Sequence, residues 1–225
     1  EADKVLALAE RTRAQPTGVL HVICPPVIGS AIVDALAVEF AASVPDVRLH
    51  LEETMGIYDP RETLADFVIY PSFTALPDST LVARKIMSSP YILAVRPDVL
   101  GVRPSPKEPD DLEDIPCIGL GSRGTEWKWR FRKGRQVQSY RFAPVFTTTL
   151  PSALLHAAMQ GLGVASLPTA LCRRAFDDGR LMPLLEDWVP DPVTLYAVYP
   201  SSRALTTAAR QFLNLLLERL PVLLK

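Results

Sequence analysis

The stretch HAAMQGLGVASLP, residues 156–168, joins a helical pattern to an apolar strand. Its Gly161-Leu162-Gly163 resembles a dinucleotide-binding loop, which needs a strand before the glycines and a helix after them. Here the order is reversed, because residues 152–159 predict a helix and residues 164–167 predict a short buried strand. We therefore predict that Gly161 caps the helix in the left-handed conformation, and that Gly163 lets the chain turn directly into a sheet.

Predicted strands and helices alternate on both sides of this joint. Apolar runs and apolar–polar alternation predict strands at 19–24, 47–51, 66–70, 81–86, 89–95, 164–167 and 193–200. Apolar residues three or four apart predict helices at 1–15, 30–43, 152–160 and 205–220. Residues 97–116 are rich in proline and acidic side chains, which predicts a connection between two halves. The pattern indicates an α/β fold with two lobes, joined by crossings near 93–96 and 194–198.

Composition limits the class of protein. The chain has 225 residues, of which 48% are hydrophobic and 22% charged, and its formal net charge is −1. The near-zero net charge disfavours a surface that binds nucleic acid. No apolar run approaches the roughly 20 residues that span a bilayer. The N-terminal stretch shows no secretion signal, although a mature protein whose signal has been removed would look the same.

The cysteines indicate the cellular compartment. Cys24, Cys117 and Cys172 are odd in number and far apart in the sequence. This spacing is unlike a disulfide framework or a zinc knuckle. It favours a reducing, cytoplasmic compartment.

Residues that carry catalysis or bind metals are scattered. The sequence has no G-x-S-x-G pattern, and Cys24 lies in an apolar strand, where a thiol behaves as a small hydrophobic group. His50 with Glu52 and Glu53 could ligate a metal, but strand alternation sends His50 and Glu52 to one face and Glu53 to the other. Because no second His or Cys stands at ligand spacing, we interpret this stretch as a surface strand. We predict no catalytic residue, no metal and no cofactor.

One segment is both basic and aromatic. WKWRFRKGR, residues 127–135, alternates aromatic residues with Lys and Arg and turns at Lys133-Gly134, which predicts a β-hairpin over 127–142. Such a segment can stack bases and hold phosphate. Alternatively, its aromatic side chains pack inward and its cations face water. The neutral total charge favours the second interpretation.

Two predicted helices begin directly after strands, with hydroxyl side chains at their starts. The segments are Val27–Ser30 in the first half and Thr147–Thr149 in the second. Free N–H groups at a helix N-terminus favour a small anion such as a carboxylate, while the alternative is that these residues only cap their helices. Arg123 can add a positive charge nearby. The two segments converge only if the lobes face each other.

Five motifs in order resemble the effector-binding (regulatory) domain of LysR-type transcriptional regulators. The resemblance covers roughly residues 16–220. Its motifs are GVLHVICPPVIGSAIVDALAVEFAASVPDVRLHL (18–51), ADFVIY with LPDSTLVARKI (65–86), LAVRPDVL with PKEPDDLEDIPCI (93–118), SALLHAAMQGLGVASLP (152–168) and DGRLMPLLEDWVPDPVTLYAVYPSSRAL (178–205). The opening stretch is thus a marker of this family.

The resemblance implies a two-lobed type-2 periplasmic-binding-protein-like fold with two hinge crossovers. It implies that residues 1–16 are the end of a linker helix, that 17–94 with 197–225 form regulatory subdomain I, and that 95–196 form subdomain II. It also implies a small-molecule effector, such as a small organic acid, between the lobes. A winged helix-turn-helix that precedes this chain would bind DNA.

The resemblance also places the effector-binding residues at four chain segments. They lie in the loop 25–30, at the end of the second strand, at the strand end 70–72, and at 147–150; the residues are Pro26, Val27, Ile28, Ser30, Thr54, Tyr70, Ser72, Thr147, Thr148 and Thr149. The sequence departs from the family at two of them. Tyr70 stands where many relatives have Arg, and Thr149 stands where Asn is common.

The resulting expectation is a cytoplasmic, non-catalytic sensor domain that forms a homodimer or homotetramer, contacts no membrane, and meets DNA only through the preceding domain. Effector binding would change the angle between the lobes and so the spacing of the DNA-binding heads. Two alternatives stay open. A solute-binding protein of a transport system shares the fold, and an enzyme on this fold would need a catalytic constellation that the sequence does not display.

Overall fold

The computed structural model describes residues 16–26, 33–54, 59–74, 76–122, 124–201 and 203–223. The predicted linker helix at 1–16 lies outside them except for Pro16. The described residues form two units, one up to Met87 and from Thr194 onward, the other Ser88–Val193. The family resemblance implied boundaries after residues 94 and 196. In the structure the chain first passes from the first unit to the second after Met87, earlier than residue 94, because strand Tyr91–Val95 pairs with strands of the second unit.

The described residues contain thirteen strands and four α-helices. The strands are β1 (Gly18–Cys24), β2 (Val47–Glu53), β3 (Phe67–Ser72), β4 (Val82–Ser89), β5 (Tyr91–Val95), β6 (Cys117–Leu120), β7 (Lys128–Lys133), β8 (Gln136–Arg141), β9 (Phe146–Thr148), β10 (Val164–Pro168), β11 (Met182–Leu184), β12 (Val189–Pro190) and β13 (Val193–Tyr199). The helices are α1 (Asp34–Ser43), α2 (Pro151–Met159), α3 (Thr169–Asp177) and α4 (Thr207–Leu223). Among the described residues, no helix combines the length and apolarity needed to cross a bilayer.

The first unit is built on a five-stranded sheet with the order β2-β1-β3-β13-β4. β1 pairs in parallel with both β2 and β3, so these three strands end at the same edge of the sheet. Helices α1 and α4 pack together, and the fully buried Phe212 of α4 joins them to the sheet. Its ring centroid lies 5.2 Å from that of Phe40 and 6.3 Å from that of Phe67.

The second unit contains two sheets. The larger has the order β11-β5-β10-β6-β9, and the smaller has the order β12-β7-β8. Helices α2 and α3 bury Leu154, Ala158 and Cys172 in one core cluster with β10. A second cluster centres on Phe131 of the hairpin, which packs with Leu112 and Trp188. The predicted hairpin over 127–142 is therefore confirmed, but its turn lies one residue later than predicted, at Gly134-Arg135, because Lys133 still pairs with Gln136.

The joint between α2 and β10 has the conformation that the sequence predicts. Gly161 has a φ of +80° and donates its N–H to Ala158, while Leu162 donates to Ala157, which together form a Schellman cap. A Cβ on Gly163 would collide with the backbone carbonyl of Pro116, so glycine is needed for the close approach of β10 to β6. Both glycines therefore serve the turn from helix to sheet.

Several elements differ from the sequence prediction, which has no counterpart for strands β6, β9, β11 and β12. Residues 97–116 belong to the second unit and place Leu100, Leu112 and Ile115 in its core, so they are more than a connection between halves. Short 3-10 helices at Pro97–Val99 and Pro109–Leu112 let this proline-rich segment bury apolar side chains. Helix α3 was also not predicted, because its apolar side is narrow and few of its residues are buried.

Candidate functional site

The first unit gathers several predicted effector residues at one edge of its sheet. β1, β2 and β3 are parallel and end there at Cys24, Glu53 and Ser72. Thr54 follows β2 and donates its backbone N–H to the carbonyl of Cys24 at 3.0 Å. Pro26 follows β1 at the same edge, where ligands of open α/β sheets bind. Val27, Ile28 and Ser30 lie outside the described residues, as does Arg123.

Tyr70 and Ser72 lie near the end of β3, and both are half-buried. The Ser72 hydroxyl donates to the carbonyl of Thr74 at 2.8 Å and accepts the Thr74 N–H at 3.3 Å. It therefore stabilises the turn that follows β3. Tyr70 and Ser72 pair with Tyr196 and Thr194 of β13. Thr194, which the sequence did not single out, therefore lies opposite Ser72 at this edge of the sheet.

The second unit presents Thr147, Thr148 and Thr149 between β9 and α2. β9 is parallel to β6, and the two strand ends are tied by the Gly121 N–H, which donates to the carbonyl of Thr148 at 2.8 Å. The Thr148 hydroxyl accepts the N–H of Leu150 at 3.1 Å, whereas Thr147 and Thr149 are exposed. Thr148 thus fixes the turn, and Thr149 is the more accessible of the two.

The start of α2 has the features of a small-anion site. Leu150 occupies the N-cap position, and no side chain caps the helix. Pro151 has no N–H to satisfy, so the first free donors of the helix belong to the two residues after it. The alternative in which a threonine caps α2 is therefore wrong. Uncapped N–H groups beside exposed hydroxyl groups suit a carboxylate.

The basic hairpin holds most of its positive charges in ion pairs. The carboxylate of Asp191 forms ion pairs with Arg130 at 3.0 Å and with Arg132 at 2.7 Å. Lys133 forms a third ion pair, with Asp187 at 3.0 Å. Glu126 pairs with Arg141 at 2.9 Å. On the aromatic face, Phe131 is fully buried, and the other rings pack together. The prediction that the aromatic side chains pack inward is confirmed.

A shallow groove in the second unit is a separate surface feature. Its volume is about 480 Å³, and it is lined by residues 113–117 and 140–143. None of the predicted effector residues lines it. Burial and the nearby acidic groups raise the pKa of Tyr140 in this groove to about 12, so its phenol stays protonated at neutral pH.

The three cysteines are buried and unpaired with one another. The pKa of each thiol is raised to about 12, by burial at Cys117 and Cys172, and at Cys24 by burial together with the neighbouring carboxylates of Glu53 and Asp34. A thiol with such a pKa is almost entirely protonated at neutral pH, and thiolate is the reactive form.

We therefore expect the native protein to react with a disulfide reagent such as DTNB at least about 100-fold more slowly at pH 8 than the unfolded chain does. Release of thionitrobenzoate measures both rates. After unfolding in guanidinium, three thiols should react at the rate of a free cysteine. A fast thiol in the native protein would contradict the burial of Cys24, Cys117 and Cys172.

Nearly the whole chain matches one protein family. Residues 13–221 match the profile of the LysR substrate binding domain. The chain belongs to this family. The family resemblance and the two α/β units agree with the type-2 periplasmic-binding-protein-like fold that the sequence analysis expected.

Relatives with assigned names are HTH-type transcriptional regulators. The regulator CrgA of Neisseria meningitidis serogroup C is 28% identical over 206 residues, which cover 91% of this chain and 68% of CrgA. The regulator PtxR of Pseudomonas aeruginosa is 26% identical over 223 residues, which cover 98% of this chain and 70% of PtxR. Both relatives are named as HTH-type transcriptional regulators.

Solved structures show the same fold in this LysR family. CrgA, a LysR-type transcriptional regulator from Neisseria meningitidis, superposes with a TM-score of 0.75 at 26% identity, covering 97% of this chain and 76% of the CrgA chain. The CrgA regulatory domain alone gives a TM-score of 0.74 at 27% identity, and the match covers 91% of this chain and 100% of that domain. AphB, a virulence activator of Vibrio cholerae, superposes with a TM-score of 0.74 at 21% identity. The match covers 96% of this chain and 74% of the AphB chain.

Proposed function

We propose that this LysR-family domain binds a small organic acid as its effector and does not catalyse a reaction. The observation that carries the proposal is the uncapped start of α2, which follows the exposed hydroxyl groups of Thr147 and Thr149 at the carboxyl end of β9. Free N–H groups of a helix N-terminus stabilise a carboxylate through hydrogen bonds and the helix dipole. Family membership supports a ligand-binding role.

The first unit offers a second group of effector residues. Thr54, Tyr70 and Ser72 lie at the carboxyl edge of its sheet, with Pro26 after β1. In this proposal they contact the uncharged part of the effector, because Tyr70 stands where many relatives carry Arg. The expectation that the effector lies between the two lobes stays a prediction, which variants in each unit can test.

We also propose that effector binding controls a winged helix-turn-helix and that the cytoplasmic regulator assembles as a homodimer or homotetramer. The support is that CrgA and PtxR are named HTH-type regulators and are longer than the matched segment. The solute-binding alternative gains no support from these relatives. In two-state terms, the effector acts by binding one arrangement of the domain more tightly than the other.

Thermal shifts test the proposed ligand class. A panel of aliphatic and aromatic carboxylates, each with its uncharged amide, is added to the purified chain. We expect at least one carboxylate to raise the melting temperature while its amide does not, because a ligand at 100 times its Kd adds about 2.7 kcal/mol to the free energy of unfolding. A panel in which amides stabilise as well as carboxylates would contradict an anion site.

The Thr149→Trp variant tests the location. We expect it to weaken binding of the active carboxylate at least about tenfold, since a bulky ring would cover the free N–H groups at the start of α2. Thr207→Trp, at an exposed position on α4, is the matched control and should bind as wild type does. Calorimetry measures both affinities. Wild-type affinity in Thr149→Trp would place the site elsewhere.

Tyr70→Phe extends the same measurement to the first unit. Removal of its hydroxyl group should lower the affinity if residues of this unit contact the effector, and circular dichroism should show an unchanged fold. If only Thr149→Trp weakens binding, the site is confined to the second unit. If neither variant weakens binding, the groove beside Tyr140 becomes the place to examine.

A further inference from the structure

The two histidines of the first unit lie side by side on neighbouring strands. His21 on β1 is directly opposite His50 on β2 in the parallel register, and their ring centroids are 4.8 Å apart. Glu52 lies two residues after His50 and therefore on the same face of β2. Glu53 lies on the other face, where it raises the pKa of Cys24. The alternation that the sequence predicted is thus observed, with a second histidine supplied by β1.

The ligand atoms of these three residues are close to the spacing that a metal ion requires. His21 Nε2 lies 3.1 Å from Glu52 Oε2. One ligand atom from each of His21, His50 and Glu52 can be chosen so that all lie within 4.8 Å of one another. Ligands at about 2.0–2.1 Å from a tetrahedral ion are about 3.3 Å apart. Binding would therefore require the exposed His50 side chain to bring its ring nitrogen closer to the other two ligand atoms.

The surroundings support a site that is anchored on one side and open on the other. The His21 side chain is only 17% exposed, and its backbone N–H donates to Asp66 at 3.0 Å. Asp66 in turn accepts the hydroxyl of Thr206 at 3.0 Å, which ties β1 to the chain before α4. The Glu52 side chain is 43% exposed and His50 is exposed, so an ion can enter from solvent.

We propose that His21, His50 and Glu52 bind a divalent transition-metal ion, with Zn²⁺ as the representative ion. Two imidazole nitrogens and one carboxylate oxygen match the ligands that Zn²⁺ takes in proteins, whereas Mg²⁺ and Ca²⁺ prefer oxygen alone. Three protein ligands leave a fourth position for water or for a group from another molecule. Arg48, on the same face of β2, adds a positive charge that lowers the affinity.

The bound ion would join β1 to the edge strand β2. Because the unfolded chain holds His21 and His50 far apart, Zn²⁺ would bind the folded state preferentially and stabilise the first unit. This effect does not depend on the organic effector. The metal site and the effector site are therefore separately testable.

Calorimetry with Zn²⁺ alone tests the site on the purified chain, with any affinity tag removed and in a buffer free of phosphate and chelators. We expect one Zn²⁺ per chain and a rise in melting temperature that EDTA reverses. His50→Ala and Glu52→Gln should each weaken Zn²⁺ binding at least about tenfold and remove the thermal shift. His50 is chosen for substitution because its exposed side chain makes the variant compatible with folding.

The chain offers a matched control for each variant. His156→Ala removes the histidine outside the cluster, and Glu53→Gln removes the carboxylate on the opposite face of β2. Both should bind Zn²⁺ as wild type does. The proposal is overturned if wild type does not bind Zn²⁺, if His50→Ala binds with unchanged affinity, or if His156→Ala loses as much affinity as His50→Ala.

Discussion

Gly163→Ala is expected to lower the free energy of unfolding by about 3 kcal/mol, the upper end of the cost of overpacking a tight site. The new methyl group would collide with the backbone carbonyl of Pro116, which has no side-chain rotation available to move away. That carbonyl accepts the N–H of Val164 at 2.8 Å at the start of the pairing between β10 and β6. Relief of the collision therefore requires the two central strands of the second unit to separate.

Gly179→Ala is the matched control for this variant. Gly179 has a φ of +67° in the same unit, but a Cβ there meets no atom within 4 Å. The control should cost only the backbone strain of the left-handed conformation, about 1 kcal/mol. Guanidinium unfolding followed by circular dichroism measures both values. Equal losses in the two variants would show that the contact with Pro116 has no special cost.

Phe212→Ala is expected to lower the free energy of unfolding of the first unit by about 3–5 kcal/mol. The Phe212 ring is fully buried between Phe40 of α1 and Phe67 of β3. Its removal loses the transfer free energy of the ring and leaves a cavity that the helices and the sheet cannot fully close. Because α4 returns from the far end of the chain, the variant also tests whether both chain segments form one cooperative unit.

Phe73→Ala removes the same side chain from a position where it is 57% exposed. This control should change the free energy of unfolding by less than about 1 kcal/mol, as surface substitutions usually do. Thermal unfolding followed by circular dichroism compares the two variants with wild type. A Phe212→Ala loss as small as the control would mean that α4 contributes little to the core of the first unit.

Local patterns in the sequence were enough to predict most elements of this fold. Apolar alternation predicted the longer strands, and the Gly161 cap with Gly163 predicted the joint between α2 and β10, because caps and strand faces depend on residues close in the chain. The short strands β6, β9, β11 and β12 were not predicted. Local patterns also gave the aromatic hairpin. Local patterns gave a wrong prediction at 97–116. This proline-rich segment was predicted to be a connection, but its leucines lie in the core of the second unit.

The predicted effector residues came from family resemblance rather than from local patterns. Parallel pairing of β1, β2 and β3 then explains why Pro26, Thr54 and Ser72 share one edge, which residue spacing alone does not indicate. The uncapped state of α2 also required the structure, since Thr149 precedes the helix as a capping residue would. Capping depends on the path of the turn, and Thr148 fixes that path.

The sequence by itself determined the fold class, the family and the faces of the predicted strands, because these follow from periodicity and from ordered motifs. Only the tertiary structure decided which distant side chains meet. Asp191 pairs with Arg130 and Arg132, and His21 lies beside His50, through strand pairings between segments far apart in the chain. Such pairings depend on sheet order and register, which the packing of the whole core selects and no short stretch encodes.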